Sequence, residues 1–131
     1  MTIFVHDDVL DNGLAEIKSA ATTVILCAGA PADLTEATTA FGTGTGKALA
    51  DVTVDSDDWT IADASPTGRK ITMTAQTGVT VDVTGTADHL AVVDASRLLL
   101  VIPLSSSVGV TAANTVGFGA WTFTIPAPVA A

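Results

Sequence analysis

From Leu49 onward, apolar and polar residues alternate along the chain with a period of two. In "RKITMTAQ", Ile71 and Met73 alternate with threonines, and in "VTVDVTG" valines alternate with Thr80 and Asp82. Because successive side chains of a strand point to opposite faces, this pattern predicts strands with one buried and one solvated face. The β-branched residues Val and Thr also favour strands over helices. The spacing predicts that these two segments form an antiparallel hairpin.

Further segments of the same kind follow one another, separated by turn signals such as "SPTG", "QTG", "TGT" and "ASR" and by the longer "SSSVGVTAANTVGFG". The strand-like segments are "LADVTVDSDDWTIADA", "RKITMTAQ", "VTVDVTG", "DHLAVVDA", "RLLLVIPLS" and "AWTFTIP". This spacing is typical of all-β sandwiches. We therefore predict a mainly β fold, an antiparallel β-sandwich or barrel-like domain, with its β region at residues 49–126 and a short tail at 127–131.

The N-terminal part predicts a short strand, "TIFV", followed by one α-helix, together covering residues 2–21. Apolar residues recur there at helical spacing; they are Leu10, Leu14, Ile17 and Ala21. Asp7 or Asp8 is a natural N-cap, and Gly13 is expected inside the helix, where it costs about 1 kcal/mol relative to Ala.

The segment "TTVILCAG" then predicts a fully buried strand that carries the single cysteine, Cys27, as a small buried apolar residue. Residues 29–48 are small, polar and Gly-rich, and we expect an irregular loop there. The length of 131 residues fits one domain, 1–131.

Charge is distributed unevenly: 14 acidic residues oppose 5 basic ones, for a formal net charge of −9. Binding to phosphate backbones needs clustered bases, so a nucleic-acid partner is not expected. The second half is sparsely charged, which predicts that another chain covers part of its surface. No apolar run reaches the roughly 18 to 20 residues that span a bilayer, and no basic region precedes the first acids. We expect no membrane partner, no signal peptide and synthesis in the cytoplasm.

The segment "TADHLAVVDAS" places Asp88, His89 and Ser96 close together in sequence, which raises the question of a hydrolytic triad. Neighbours on a strand point to opposite faces, so we expect Asp88 and His89 not to pair. Ser96 lies in a predicted turn without the surroundings of a nucleophile elbow. The sequence predicts that the protein is not an enzyme and has no catalytic residue.

Three other motifs are weaker. In "GTGTGKA" and the residue before it, Phe41 and Ala48 occupy positions where a phosphate-binding loop needs Gly and Ser or Thr, so we expect a flexible loop. The acids of "DVTVDSDDW" lack the Gly and Glu of a calcium loop and favour a solvated turn over a weak ion site. "VHDD" at residues 5–8 is compatible with a metal pair, but helix capping is the favoured interpretation. We expect no metal and no cofactor.

Several segments together resemble a family of small virion proteins of tailed bacteriophages. They are "MTIFVHDDVLDNGLAEIKSAATTVILCAGAPADLTEAT", "SPTGRKITMTA", "VTGTADHLAVVD", "SRLLLVIPLSSSVGVTAANTVGF" and "FTIPAP", in the same order as in that family. The resemblance implies a virion structural component, in particular a capsid decoration (cement) protein. Such a protein lies on the outer capsid surface, binds the major capsid protein lattice, and forms homo-oligomers, with a trimer favoured.

The interface of such a protein is expected to use large apolar side chains; we predict Phe41, Trp59, Leu98, Leu100, Phe118 and Trp121. An alternative is a binding module of a head or tail fibre that recognises a host surface glycan. Trp59, Trp121 and the acidic turn at Asp55–Asp58 would then form the site.

Overall fold

A computed structural model describes residues 4–5, 13–64 and 69–125. Its helices are α1 (Leu14–Ala20) and α2 (Leu34–Thr38), with a 3-10 turn at Ser56–Asp58. Its strands are β1 (Phe4–Val5), β2 (Thr23–Cys27), β3 (Ala48–Thr53), β4 (Trp59–Asp63), β5 (Arg69–Met73), β6 (Gln76–Thr80), β7 (Gly85–Val93), β8 (Leu98–Val110), β9 (Thr115–Phe118) and β10 (Trp121–Ile125). The predicted class is confirmed: 54% of the structure is strand, in antiparallel sheets, with a short N-terminal helix.

The described strands form three sheets, with the orders β1-β8-β7-β2-β3, β10-β5-β4 and β6-β9. The predicted hairpin between β5 and β6 is wrong, because β5 pairs with β4 and β10 while β6 pairs with β9. Alternation determines which face of a strand is buried but not which strand lies beside it. The predicted faces are right: Ile71, Met73, Val79 and Val81 are buried.

The main core contains the apolar faces of all three sheets together with Leu14 and Ile17 of α1. Trp59, at the start of β4, is 1% exposed. Its ring meets that of Trp121 on β10 edge to face, with centroids 5.6 Å apart. Such aromatic pairs stabilise a fold beyond the area that they bury.

A second apolar cluster lies on the opposite face of the five-stranded sheet, where Cys27 and Leu98 are buried and Leu34 packs against them. It shows that the segment 29–48 is not simply an irregular loop, since α2 lies within it and covers this face. The carboxylate of Asp33 caps α2 by accepting the Glu36 N–H at 2.8 Å. The spacing of Asp33 and Glu36 is a capping signal in the sequence, and the prediction of an irregular loop did not take it into account.

Helix α1 begins later than predicted. Gly13 is its N-cap with φ of 70°, so it precedes the helix and does not weaken its interior. The predicted caps Asp7 and Asp8, the "VHDD" motif, the "SPTG" turn and the tail 127–131 lie outside the described residues.

Strand β8 is longer than predicted, because it continues beyond the segment "RLLLVIPLS" through serines that we placed in a turn. β9 is likewise a strand inside that predicted turn. Ala87 pairs with Val108 and His89 with Pro103, so Asp88 alone lies opposite residues 104–107. Four residues against one form a large bulge, and bulges reorient side chains locally.

Candidate functional site

An apolar groove of about 840 Å³ lies beside the β8 bulge. One wall consists of residues 102–106 and Val108 of β8, and the other of residues 116–124, which include β10 as far as Thr124. Leu26 and Leu90 from the five-stranded sheet also contact it. Residues 104–106 of this wall belong to the bulge, where β8 departs from one-to-one pairing with β7.

Among the residues that the structure describes, no charged side chain lines the groove. Its walls come from the part of the sequence after Arg97, in which there is no Asp, Glu, Lys or Arg. All the formal charge therefore belongs to residues 1–97. This separation of charge can be read from the sequence. It is more complete than our prediction, which described the second half only as sparsely charged.

Two strand edges border the groove. Among the described strands, β10 is the outermost strand of its sheet. β8 has β7 on one side and, of the described residues, Phe4 and Val5 of β1 on the other. Within residues 4–5, 13–64 and 69–125, no strand pairs with β10 or with residues 102–108 on these outer sides. Exposed edges of this kind are sites for pairing with another strand.

Asp88 and His89, which we expected to point apart, form a hydrogen bond. Asp88 Oδ1 lies 2.7 Å from His89 Nδ1, and the same oxygen accepts the Gly29 N–H at 2.6 Å. The bulge at Asp88 explains the error, since the simple alternation of side chains fails there. Burial by itself would raise the pKa of Asp88, but the hydrogen bonds from His89 and Gly29 outweigh it and lower that pKa.

This pair lacks an activated nucleophile. Cys27 lies opposite His89 in the β2–β7 register. However, burial and the nearby charge of Asp88 raise the pKa of the Cys27 thiol to about 12, so the thiol is neutral at physiological pH. Ser96 Oγ is 3.4 Å from Asp94 in the turn between β7 and β8. Within the described part of the chain, no hydroxyl hydrogen-bonds to His89.

The acidic turn is held together by its own hydrogen bonds. Asp55 accepts the Asp57 N–H, while Asp58 accepts the Asp55 N–H and, through its other oxygen, the amide of Gln76 at 3.0 Å. These contacts form a capping box that starts the 3-10 turn before β4. Across the ranges that the structure describes, no group of three or more His, Cys, Asp or Glu side chains is placed to hold a metal ion.

The predicted interface residues separate into two groups. Trp59, Leu98, Leu100 and Phe118 have exposures of 4% or less and belong to the core. The other two border surface space. Trp121 lines the groove, whose inner wall also includes the buried Phe118, and Phe41 is 40% exposed on the segment before β3. The apolar character that suggested the core residues for an interface is explained by their burial inside the chain itself.

The predicted interface omits other residues of the groove, namely Ile102, Leu104, Val108, Val116 and Phe123. Val108 is the most informative of these, because 45% of it is exposed although it is a large apolar residue. It lies beyond Pro103 in a segment that we predicted as a turn, so its place on an exposed strand was not expected.

None of the described helices is long and apolar enough to cross a membrane. Comparison with known proteins found no matching protein family, no matching curated protein and no matching solved structure.

Proposed function

We propose that the chain is a bacteriophage virion structural protein that decorates and stabilises the outer surface of the capsid by binding the lattice of the major capsid protein. The resemblance of its segments to small virion proteins supports the class. The observation that carries the proposal is the separation of charge: residues 98–125 bring an uncharged groove and two strand edges to the surface, while every acid lies earlier in the chain.

Uncharged apolar surface is suited to permanent burial against other chains, because no ionised group has to lose its hydration. The acidic remainder is suited to the solvent side, where like charge keeps particles apart. Many copies on a symmetric lattice add their contributions, so that each copy needs only a modest affinity. We therefore propose that the protein acts in the virion as a homo-oligomer.

The proposed role is structural and not enzymatic. This assignment is supported by a neutral, buried thiol and by an Asp88–His89 pair in which no hydroxyl of the described residues hydrogen-bonds to His89. The protein acts through shape and contact area.

The glycan-binding alternative has less support. Trp59 is 1% exposed and cannot present its ring to a sugar, and Asp55 and Asp58 are engaged in capping the 3-10 turn. Of the residues that we considered for a glycan site, Trp121 alone lies on the groove.

Mass spectrometry and cryo-electron microscopy of purified virions test the proposal. We expect a copy number comparable to that of the major capsid protein, and density for a small β domain on the outside of the head. A low copy number, density confined to the tail, or absence from assembled particles would contradict it.

A further inference from the structure

We propose that the groove and the outer edge of β10 form a contact between two copies of this chain, in which β10 of one copy pairs antiparallel with β10 of the other. This contact is a property of the isolated protein. It does not depend on the proposed capsid role.

The groove runs along the edge of β10 and not merely over one of its faces. Trp121 and Phe123 are half-buried and pack toward the core, whereas Thr122 and Thr124 are exposed, yet all four line the groove. Residues of both faces border the same space only when that space lies beside the strand. A further strand adjoining β10 would occupy this position, about 5 Å from β10, and would bond the outer N–H and C=O groups of β10, which no described strand pairs.

This edge lacks the features that normally prevent pairing. Residues 121–125 include no charge and no proline, and their register with β5 is uninterrupted. Natural edge strands usually have Lys, Pro or a bulge for protection. The opposite edge of the same sheet has such protection: β4 ends at Asp63, and Lys18 reaches across from α1 to donate to the Trp59 carbonyl at 2.7 Å. A strand edge that lacks charge, proline and bulge, and that lies beside a preformed groove, indicates a partner strand.

Charge and sequence favour a second copy as that partner. Two chains of net charge −9 repel each other, and they approach at least cost where neither has charged residues, which is the surface of residues 98–125. The strand is also self-complementary. When Phe123 lies at a two-fold axis, Trp121 meets Ile125 of the other copy and the exposed threonines face each other.

Each β10 then enters the groove of the other copy, close to the exposed Val108. The two three-stranded sheets become one sheet of six strands. The resulting unit is a two-fold dimer, which differs from the trimer that the family resemblance implies.

Sedimentation equilibrium of the purified chain, over a range of concentrations, measures the association. The test variant is Thr124→Glu, which puts like charges close to the two-fold axis. Because Thr124 lies opposite Lys70 on β5, the new carboxylate has a favourable neighbour within its own chain. The matched control is Thr60→Glu, the same change at an exposed position on the guarded strand β4 of the same sheet.

We expect the wild type to form dimers, Thr124→Glu to weaken association at least about tenfold, and Thr60→Glu to leave it within about twofold. Hydrogen exchange of the wild type provides a second measurement that needs no variant. Amides of residues 121–125 should exchange more slowly as protein concentration rises. A wild type that remains monomeric, a control variant that dissociates as readily as Thr124→Glu, or a dimer whose protection lies outside β10 would each overturn the proposal.

Discussion

At the scale of single residues, the clearest electrostatic cost lies between two carboxylates on neighbouring segments. Burial, a hydrogen bond with Asp82 and the negative charge of Asp82 together raise the pKa of Asp51 above its ordinary value of 3.8. Asp82 comes close because its N–H donates to the Leu49 carbonyl at 2.8 Å, next to the bridge between Ala50 and Val81. The folded chain holds a proton on Asp51 more tightly than the unfolded chain does.

This difference gives a pH-dependent prediction for Asp51→Asn. A raised pKa in the folded state means that wild-type stability falls as pH rises from about 3.8 through the raised value. Asn removes the repulsion but can still hydrogen-bond to Asp82. We expect the variant to be more stable than the wild type by about 0.5 kcal/mol at pH 7, because the pair is partly screened by solvent. The two proteins should converge below pH 3.8.

Urea unfolding at several pH values measures this effect. Asp57→Asn removes the same formal charge from the exposed acidic turn and serves as the control for net charge. An Asp51→Asn variant that is destabilised at pH 7, or that gains no more stability than the Asp57→Asn control, would show that the two carboxylates do not repel each other in the folded protein.

At the scale of elements, the segment between α2 and β3 is built around a crowded glycine. Gly46 is buried, and a Cβ added to it would lie 2.3 Å from the Ala40 carbonyl oxygen and 2.5 Å from that of Thr39. Hydrogen bonds hold this backbone in place, including Ala48 N–H to the Thr39 carbonyl at 3.0 Å. In the Gly-rich "GTGTGKA", for which we predicted a flexible loop, Gly46 therefore packs closely against the backbone of residues 39–40, whereas Gly42 and Gly44 have open space around them.

We predict that Gly46→Ala destabilises the protein by about 2–3 kcal/mol, because backbone atoms must move to admit the methyl group. Gly109→Ala is the matched control: Gly109 lies in a strand, has no positive φ, and has no atom within 4 Å of an added Cβ. Its substitution should change stability by no more than about 0.5 kcal/mol. Thermal unfolding of both variants provides the comparison, and equal effects would argue against close packing at residues 39–48.

The turn between β7 and β8 is the element that sequence chemistry predicts best. "ASR" marks it, and the Asp94 carboxylate organises it by accepting the N–H groups of Ser96 at 2.8 Å and Arg97 at 2.7 Å. Asp side chains commonly stabilise turns in this way. The bulge in β8 gives no such local signal, because three extra residues in a serine-rich strand look the same as a loop.

At the scale of the whole molecule, charge separation leads to a prediction about salt. If the part of the uncharged surface of residues 98–125 that lies outside the β10 contact faces the capsid, few ion pairs cross that interface. When the salt concentration rises from low to about 0.5 M, the affinity for heads that lack the protein should then change by no more than about twofold. It should strengthen slightly where salt screens the repulsion between neighbouring copies.

Occupancy of heads at each salt concentration, measured by quantitative gel densitometry, is the test. Docking through the acidic half onto a basic lattice would give the opposite result, a steep loss of binding with salt. That outcome would reverse the proposed orientation while leaving the β10 contact between copies to be judged separately in solution.

The sequence by itself determined the class of the fold and the faces of its strands, because side-chain alternation and turn chemistry are local properties. It also separated the charges, since every ionised residue precedes Leu98. Only the tertiary structure decided which strands are neighbours, that Trp59 and Leu100 are core residues and not interface residues, and that Asp88 contacts His89. Strand partners depend on the burial of many faces at once. One wall of the groove includes residues of a bulge, which arises where the register between β7 and β8 changes at Asp88, and no local sequence pattern determines that register.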